Sequence, residues 1–249
     1  MKSFSGIAFV LLFAAAASAQ NALPRGTILP VALGSSINSK SAHPGQEIKA
    51  EIMQDIPVAP GHVIPARTKV YGRVLAVQPS NADGSSLSLK FDRLRLRSED
   101  IAITTDLRAI ASYVTVHDAQ LPLNGPDRGT SEDAWTTIQV GGDVVYRGGG
   151  PVTSDHEVVG TPVRGGGVLM RVTTRPGSPC RGPLDSNAPQ ALWVFSSDAC
   201  GVYGFSNLAI RHAGRTAPVG EIVLTSTKKE LKLPPGTGLL LRVDAPNKQ

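Results

Sequence analysis

Short stretches in which apolar residues alternate with polar ones, or run unbroken for a few positions, recur along the first half of the chain. They predict strands over 27–33, 47–52, 69–78, 87–96 and 101–109, with Pro44-Gly45, Pro60-Gly61 and Asp83-Gly84 breaking between them. Asp83-Gly84 is the best hairpin signal in this half. No window here keeps apolar residues at helical spacing for three turns. Five or six such strands can curl into a small barrel or pack as a sandwich, whereas three would leave an exposed edge.

The stretch 121–131, with two prolines and two glycines among polar residues, interrupts this pattern. Beyond it, strands are predicted over 134–140 and 143–146, joined at Gly141-Gly142, and then over 168–173, 191–195, 201–205, 208–212, 221–224 and 239–243. Trp193, Phe195, Tyr203 and Phe205 lie around the two cysteines and read as core side chains. The expected fold class is therefore all-β, a small barrel-like or sandwich domain followed by a second β-rich domain. In residue terms this gives a leader at 1–19, a barrel-like domain at 20–118, a linker or long loop at 119–133, and a second domain at 134–249.

One motif repeats. Residues 23–31 (Leu-Pro-Arg-Gly-Thr-Ile-Leu-Pro-Val) resemble 233–241 (Leu-Pro-Pro-Gly-Thr-Gly-Leu-Leu-Leu), and 64–70 is a looser copy. Each reads as a Pro-initiated turn that opens a strand. A sharper alternative is that 231–243 returns to close the first domain, which would make 120–220 an insertion.

Composition adds the compartment. Lys2, the apolar run 7–17 and Ala17-Ser18-Ala19 before Gln20 form a cleavable export signal, too short for a membrane anchor, so the mature chain is expected to start at Gln20. No second segment of spanning length follows, and a periplasmic or secreted product is expected. Cys180 and Cys200 are the two cysteines of the chain. In an oxidising compartment one cystine is the simplest assignment and two separate thiols are the alternative.

Charge excludes little by itself. The formal net charge is +5 at pH 7, spread over both halves. Lys90, Arg93, Arg95 and Arg97 form the densest basic stretch, but the arginines alternate with Leu94 and Leu96 as on a half-buried strand. A solvated face fits better than a polyanion site, and no nucleic-acid partner is expected.

Candidate chemistry is sparse. His43, His62, His117, His156 and His212 are isolated, and none forms a metal-ligand pair. Asp155-His156-Glu157 cannot converge on a regular strand, so a surface loop is expected there. Ser196, Ser197, Asp198 and His212 could meet beside the cystine as a hydrolytic set. Glu47 and Glu51 share strand parity but fit a solvent face. The glycine runs after Arg147 and Arg164 lack the Lys-Ser/Thr of a nucleotide loop and read as mobile loops, or as contacts for an acidic surface. Trp135, Tyr146 and Trp193 are the candidates for an aromatic platform. No catalytic residue, metal or cofactor is assigned.

The pieces 23–31, 35–39, 44–50, 63–74 and 89–94 resemble, in order, the soluble β-domain of TrbI-like conjugation and type IV secretion scaffold proteins, and also stand-alone envelope β-domains of bacteria. The resemblance covers about residues 23–96 and implies a barrel-like extracytoplasmic domain that assembles with protein partners. It departs at Arg67, where that family tends to carry Gly or another small residue. It also lacks a transmembrane helix with a Pro-rich spacer, and does not cover 132–220. The expected function is a non-catalytic scaffold or protein-binding module of the envelope. A secreted hydrolase acting on envelope polysaccharide or peptide, and a carbohydrate-binding module, are the alternatives.

Overall fold

A computed structural model describes residues 22–81, 84–123, 135–163, 165–180, 186–227 and 230–244. The expected export signal at 1–19 and most of the 119–133 stretch lie outside them. The first half contributes β1 (Ile28–Leu33), β2 (Ile37–Asn38), β3 (Glu47–Ile52), β4 (Ile56–Ala59), β5 (His62–Ile64), β6 (Lys69–Asn81), β7 (Gly84–Leu96), β8 (Glu99–Ala102) and β9 (Thr104–Ala111). A helix of six residues, α1 (Tyr113–Asp118), follows; Ser112 caps it by accepting from the Thr115 N–H. The second half contributes β10 (Thr136–Ile138), β11 (Val144–Tyr146), β12 (Val152–Ser154), β13 (Glu157–Pro162), β14 (Val168–Met170) and β15 (Gln190–Ala191). It ends with β16 (Gly201–Tyr203), β17 (Leu208–Ala213), β18 (Ile222–Ser226), β19 (Lys232–Leu233) and β20 (Gly238–Asp244). The fold is all-β.

The main sheet runs β16-β9-β20-β1-β3-β6-β7-β18-β17, with β8 added beside β7. β17 also approaches β16 and β9, so the two ends of the order meet and the sheet curls into a barrel-like form. Leu29, Val31, Ile48, Val70, Leu89, Phe91, Leu107, Leu224 and Leu241 fill its interior. Four of these strands come from beyond the 121–131 break. Segment 231–243 does return, as β20, to pair with β1 on one side and β9 on the other.

Burial explains two kinds of strand sequence. β3 alternates because its Ile48, Ala50 and Ile52 face the interior while Glu47 and Lys49 face water. β1, β9 and β20 are buried almost throughout. Their second face is covered by the other sheet, and strands buried on both faces read as apolar runs.

That other sheet is the antiparallel meander β10-β11-β12-β13-β14-β15. It turns back on itself after β15, where the Ser196 N–H donates to the Val140 carbonyl and the Val140 N–H to the Val194 carbonyl. Val145, Val152, Val168, Met170, Leu192 and Phe195 form its core together with Ile28, Ala109, Ala111 and Leu240 from the barrel's outer face. The second body thus packs on the first through one continuous apolar layer.

Phe195 is fully buried as the sequence suggests, whereas Trp193 and Tyr203 are only partly covered and Phe205 packs against the barrel core instead. The expected strand over 191–195 ends at Ala191, because Trp193 takes a left-handed backbone conformation (φ +55°).

The repeated turn is one structure used three times. The Thr27, Thr68 and Thr237 hydroxyls donate to the carbonyls of Pro24, Pro65 and Pro234 at 2.7, 2.6 and 2.8 Å. The preceding Gly26, Arg67 and Gly236 all have positive φ. Their N–H groups donate to Val243, Ile52 and Leu33 respectively, and those residues donate back to the three threonine carbonyls. Each turn therefore opens one strand while fastening the end of its neighbour.

Arg67 holds a conformation that costs an L-residue about 1–2 kcal/mol, partly offset by the greater unfolded-state freedom of glycine. Arg67→Gly is expected to leave stability unchanged or raise it by up to about 1 kcal/mol. Gly236→Ala, whose new methyl would sit 2.5 Å from Tyr113 Cδ2, is expected to lower it by at least about 1 kcal/mol. Urea-unfolding midpoints of the two variants check the opposite signs.

Candidate functional site

The expected clusters come first. Asp155 and His156, both at positive φ, form the two-residue turn of the β12–β13 hairpin, which places the Asp155-His156-Glu157 triplet on an exposed loop. Among the described residues no group of three His, Cys, Asp or Glu side chains could hold a metal. Glu47 and Glu51 engage Lys49, Arg93 and Lys69 on the outside of the barrel.

The set of Ser196, Ser197, Asp198 and His212 does not assemble. His212 spends both ring nitrogens on the Glu221 carbonyl (2.6 Å) and the Thr216 hydroxyl (3.1 Å). Ser196 Oγ instead accepts from the Asp143 N–H, the Ser197 N–H donates to the Asp143 carboxylate, and Asp198 pairs with Arg175.

The basic stretch on β7 is a solvated face. Arg93 and Arg95 lie over the Tyr71 ring at 4.3 and 5.4 Å and share Asp100. Hydrogen bonds from Arg95, then Arg93, hold the Asp100 carboxyl down at about 2.

The Cys180–Cys200 disulfide is formed, with Cα atoms 5.8 Å apart. It lies beside a buried polar cluster. Asp106, fully buried, accepts from Arg215 Nε (3.3 Å) and Arg242 Nε (2.8 Å). Arg215 also donates to the Pro179 and Leu107 carbonyls. Arg108 is left out of the β9–β20 ladder, where Leu240 faces Ala109 and Leu241 faces Leu107. Its guanidinium donates to the Thr173 carbonyl, and burial beside Arg215 and Arg242 pushes it down to about 10. Apart from Arg108 Nε, which has no acceptor, these donors tie β9 to the segment that leads into the cystine.

A different place holds unspent chemistry. On the meander body beside the end of α1, a cleft of about 500 Å³ is lined by Trp135, Thr137, Arg147, Trp193, Gln120 and the glycines at 149, 165 and 166. The chain has two tryptophans and both line it. Trp193 also borders two adjoining depressions, of about 300 Å³ beside Tyr113 and His117 and about 420 Å³ beside Met53 and Leu169. The result is an extended groove with Trp193 at its centre.

Two buried amides hold Trp193. Gln54 Oε1 accepts from the Trp193 N–H, and Gln139 Nε2 donates to the Trp193 carbonyl at 2.6 Å. Gln54 Nε2 donates in turn to the Val168 carbonyl on β14 (3.1 Å). A bulky residue at positive φ persists only where its surroundings over-determine it, and such strain concentrates at functional positions.

Arg147 is the complementary feature. Its Nε donates to Thr137 Oγ1 (3.2 Å), while its Nη1 and the Trp135 Nε1 are buried without an acceptor. No carboxylate among the described residues pairs with it, and burial alone pushes its pKa down. A half-buried cation without a counter-ion among the described residues is costly to the folded state.

Of the platform candidates, the groove unites Trp135 and Trp193. Tyr146 lies instead over the backbone of Gly148 and Gly150. Gln54 and Gln139 carry no sequence signal, since their burial depends on contacts across more than fifty residues.

Gln54→Ala leaves the Trp193 N–H unpaired, while the Val168 carbonyl keeps the Leu192 N–H, and is expected to cost about 1–3 kcal/mol of unfolding free energy, with a red-shifted tryptophan emission. Asp100, held below its unfolded value of about 3.8, contributes stability above that pH that is lost as pH falls towards 2. Asp100→Asn is therefore expected to shrink the loss of thermal midpoint between pH 4 and 2. Comparison of this chain with known family models, curated proteins and solved structures gives no match.

Proposed function

We propose that this is a non-catalytic binding protein of the bacterial cell envelope, exported and then folded around one disulfide, whose ligand lies in the groove around Trp193. The observation that carries this reading is the convergence on one cleft of both tryptophans and an arginine without a counter-ion among the described residues. Concave sites with aromatic walls and a few placed polar groups are the usual form of a ligand site. The depression that holds Trp135 and Arg147 offers Arg, Gln and Thr side chains, and the adjoining ones add Asp55, Glu51 and His117 without grouping them as a nucleophile with its base, which supports binding over hydrolysis. The export signal and the TrbI-like order of elements at 23–96 support the extracytoplasmic setting.

A second reading, attachment to a protein of the envelope, is supported by an apolar groove of about 840 Å³ at the barrel mouth. Leu23, Val58, Val63, Ile64, Leu96 and Ile101 line it, and Val63 is about half exposed.

An array of defined oligosaccharides and peptides, probed with the labelled mature protein, separates these readings. Retention on array positions that Trp193→Ala and Trp135→Ala no longer recognise is the expected result. Retention untouched by both substitutions but lost in Val63→Asp favours the barrel mouth, and cleavage of an immobilised compound contradicts the non-catalytic assignment.

A further inference from the structure

The groove has a chemical signature more specific than its shape. Its aromatic surfaces, Trp135, Trp193 and Tyr113, are distributed along adjoining depressions that share Trp193, so an occupant touching all three is a chain of several units. Glycines at 149, 165 and 166 leave part of the lining without side chains, which lets a ring approach the backbone and the tryptophan faces closely. Arg147 lines the cleft and has no counter-ion among the described residues, while its Nη1 and the Trp135 Nε1 are shielded from solvent. A negatively charged ligand with flat C–H faces therefore complements the cation and the tryptophan walls.

We infer that the groove binds an acidic oligosaccharide, with a ring carboxylate paired to Arg147 and pyranose faces packed on Trp135 and Trp193. This rests on the reading of the groove as the ligand site. The carboxylate supplies the missing counter-ion, and Arg147 presents the planar donor geometry suited to it. The left-handed backbone of Trp193, clamped by Gln54 and Gln139, fixes one aromatic face before the ligand arrives.

The test titrates the mature protein with tetramers of galacturonate, glucuronate and mannuronate, each alongside its methyl-esterified counterpart, which keeps rings and linkages and removes the charge. Affinity is read by calorimetry. At least one acid tetramer is expected to bind tenfold or more tightly than its ester, and to weaken as salt rises. Arg147→Gln is expected to abolish that difference while the urea midpoint stays equal or rises, because the substitution removes an uncompensated charge. Arg147→Lys, which keeps the charge and loses the fork, is expected to fall between.

Equal binding of acid and ester overturns the carboxylate assignment and leaves the groove as a saccharide site. Peptides binding in a tryptophan-dependent way while no sugar binds overturn the saccharide class alone. If no saccharide or peptide binds in a tryptophan-dependent way, both this inference and the groove reading fall. A large loss of stability in Arg147→Gln would show that Arg147 serves the fold, and would also overturn the assignment.

Discussion

The structure depends on three strands, β1, β9 and β20, that have no solvent face. One side of each closes the barrel and the other forms the floor on which the meander packs, so Leu29 and Ile28 serve different cores although they are adjacent in sequence. Burying both faces makes the two bodies mutually dependent: removing the meander would expose Ile28, Ala109, Ala111 and Leu240 together as one apolar layer. The polar cluster at Asp106 belongs to the same joint. There, the bulge at Arg108 and the guanidinium of Arg215 satisfy the carbonyls that the cystine loop brings against β9.

Part of the groove is a by-product of that packing. The depressions beside Met53 and Tyr113 follow the seam between the bodies and continue into the cleft of the meander, and both tryptophans of the chain line this groove. Stability alone does not account for what lines it. A tryptophan held at positive φ by two buried amides, and an arginine with no carboxylate partner among the described residues, each lower the stability of the folded state, and the proposed ligand would offset such costs. By contrast, Arg93 and Arg95 of β7 are engaged by Asp100, Glu47 and the Tyr71 ring.

Much of this fold was legible in the order of residues. The alternation in 47–52 and the apolar runs of 28–33 and 238–244 reflect one-sided and two-sided burial directly. The triple Pro-x-Gly/Arg-Thr echo proved to be one hydrogen-bonded turn, visible because its chemistry is local. The cystine followed from compartment and count. What stayed hidden was non-local. Nothing in Met53-Gln54-Asp55 announces that Gln54 will fasten a residue 139 positions away. Trp193 reads as core because its left-handed backbone leaves no mark on composition, and Arg147 beside three glycines reads as a mobile loop until its missing partner is seen in space. The hydrolytic set around Ser196 and His212 was suggested by proximity in sequence, and it dissolves because β17 carries His212 to the β18 side of the barrel.

The proposed ligand would meet Trp135 and Trp193 together in one groove. With two tryptophans in the chain, the nitrogen-15 spectrum of the protein contains two indole signals, and each can be followed during titration with an acidic oligosaccharide. The account predicts that both indole signals shift together with a single dissociation constant, while backbone signals of the β7 arginine face stay still. Movement of only one indole, or of neither while the ligand binds elsewhere, would contradict it.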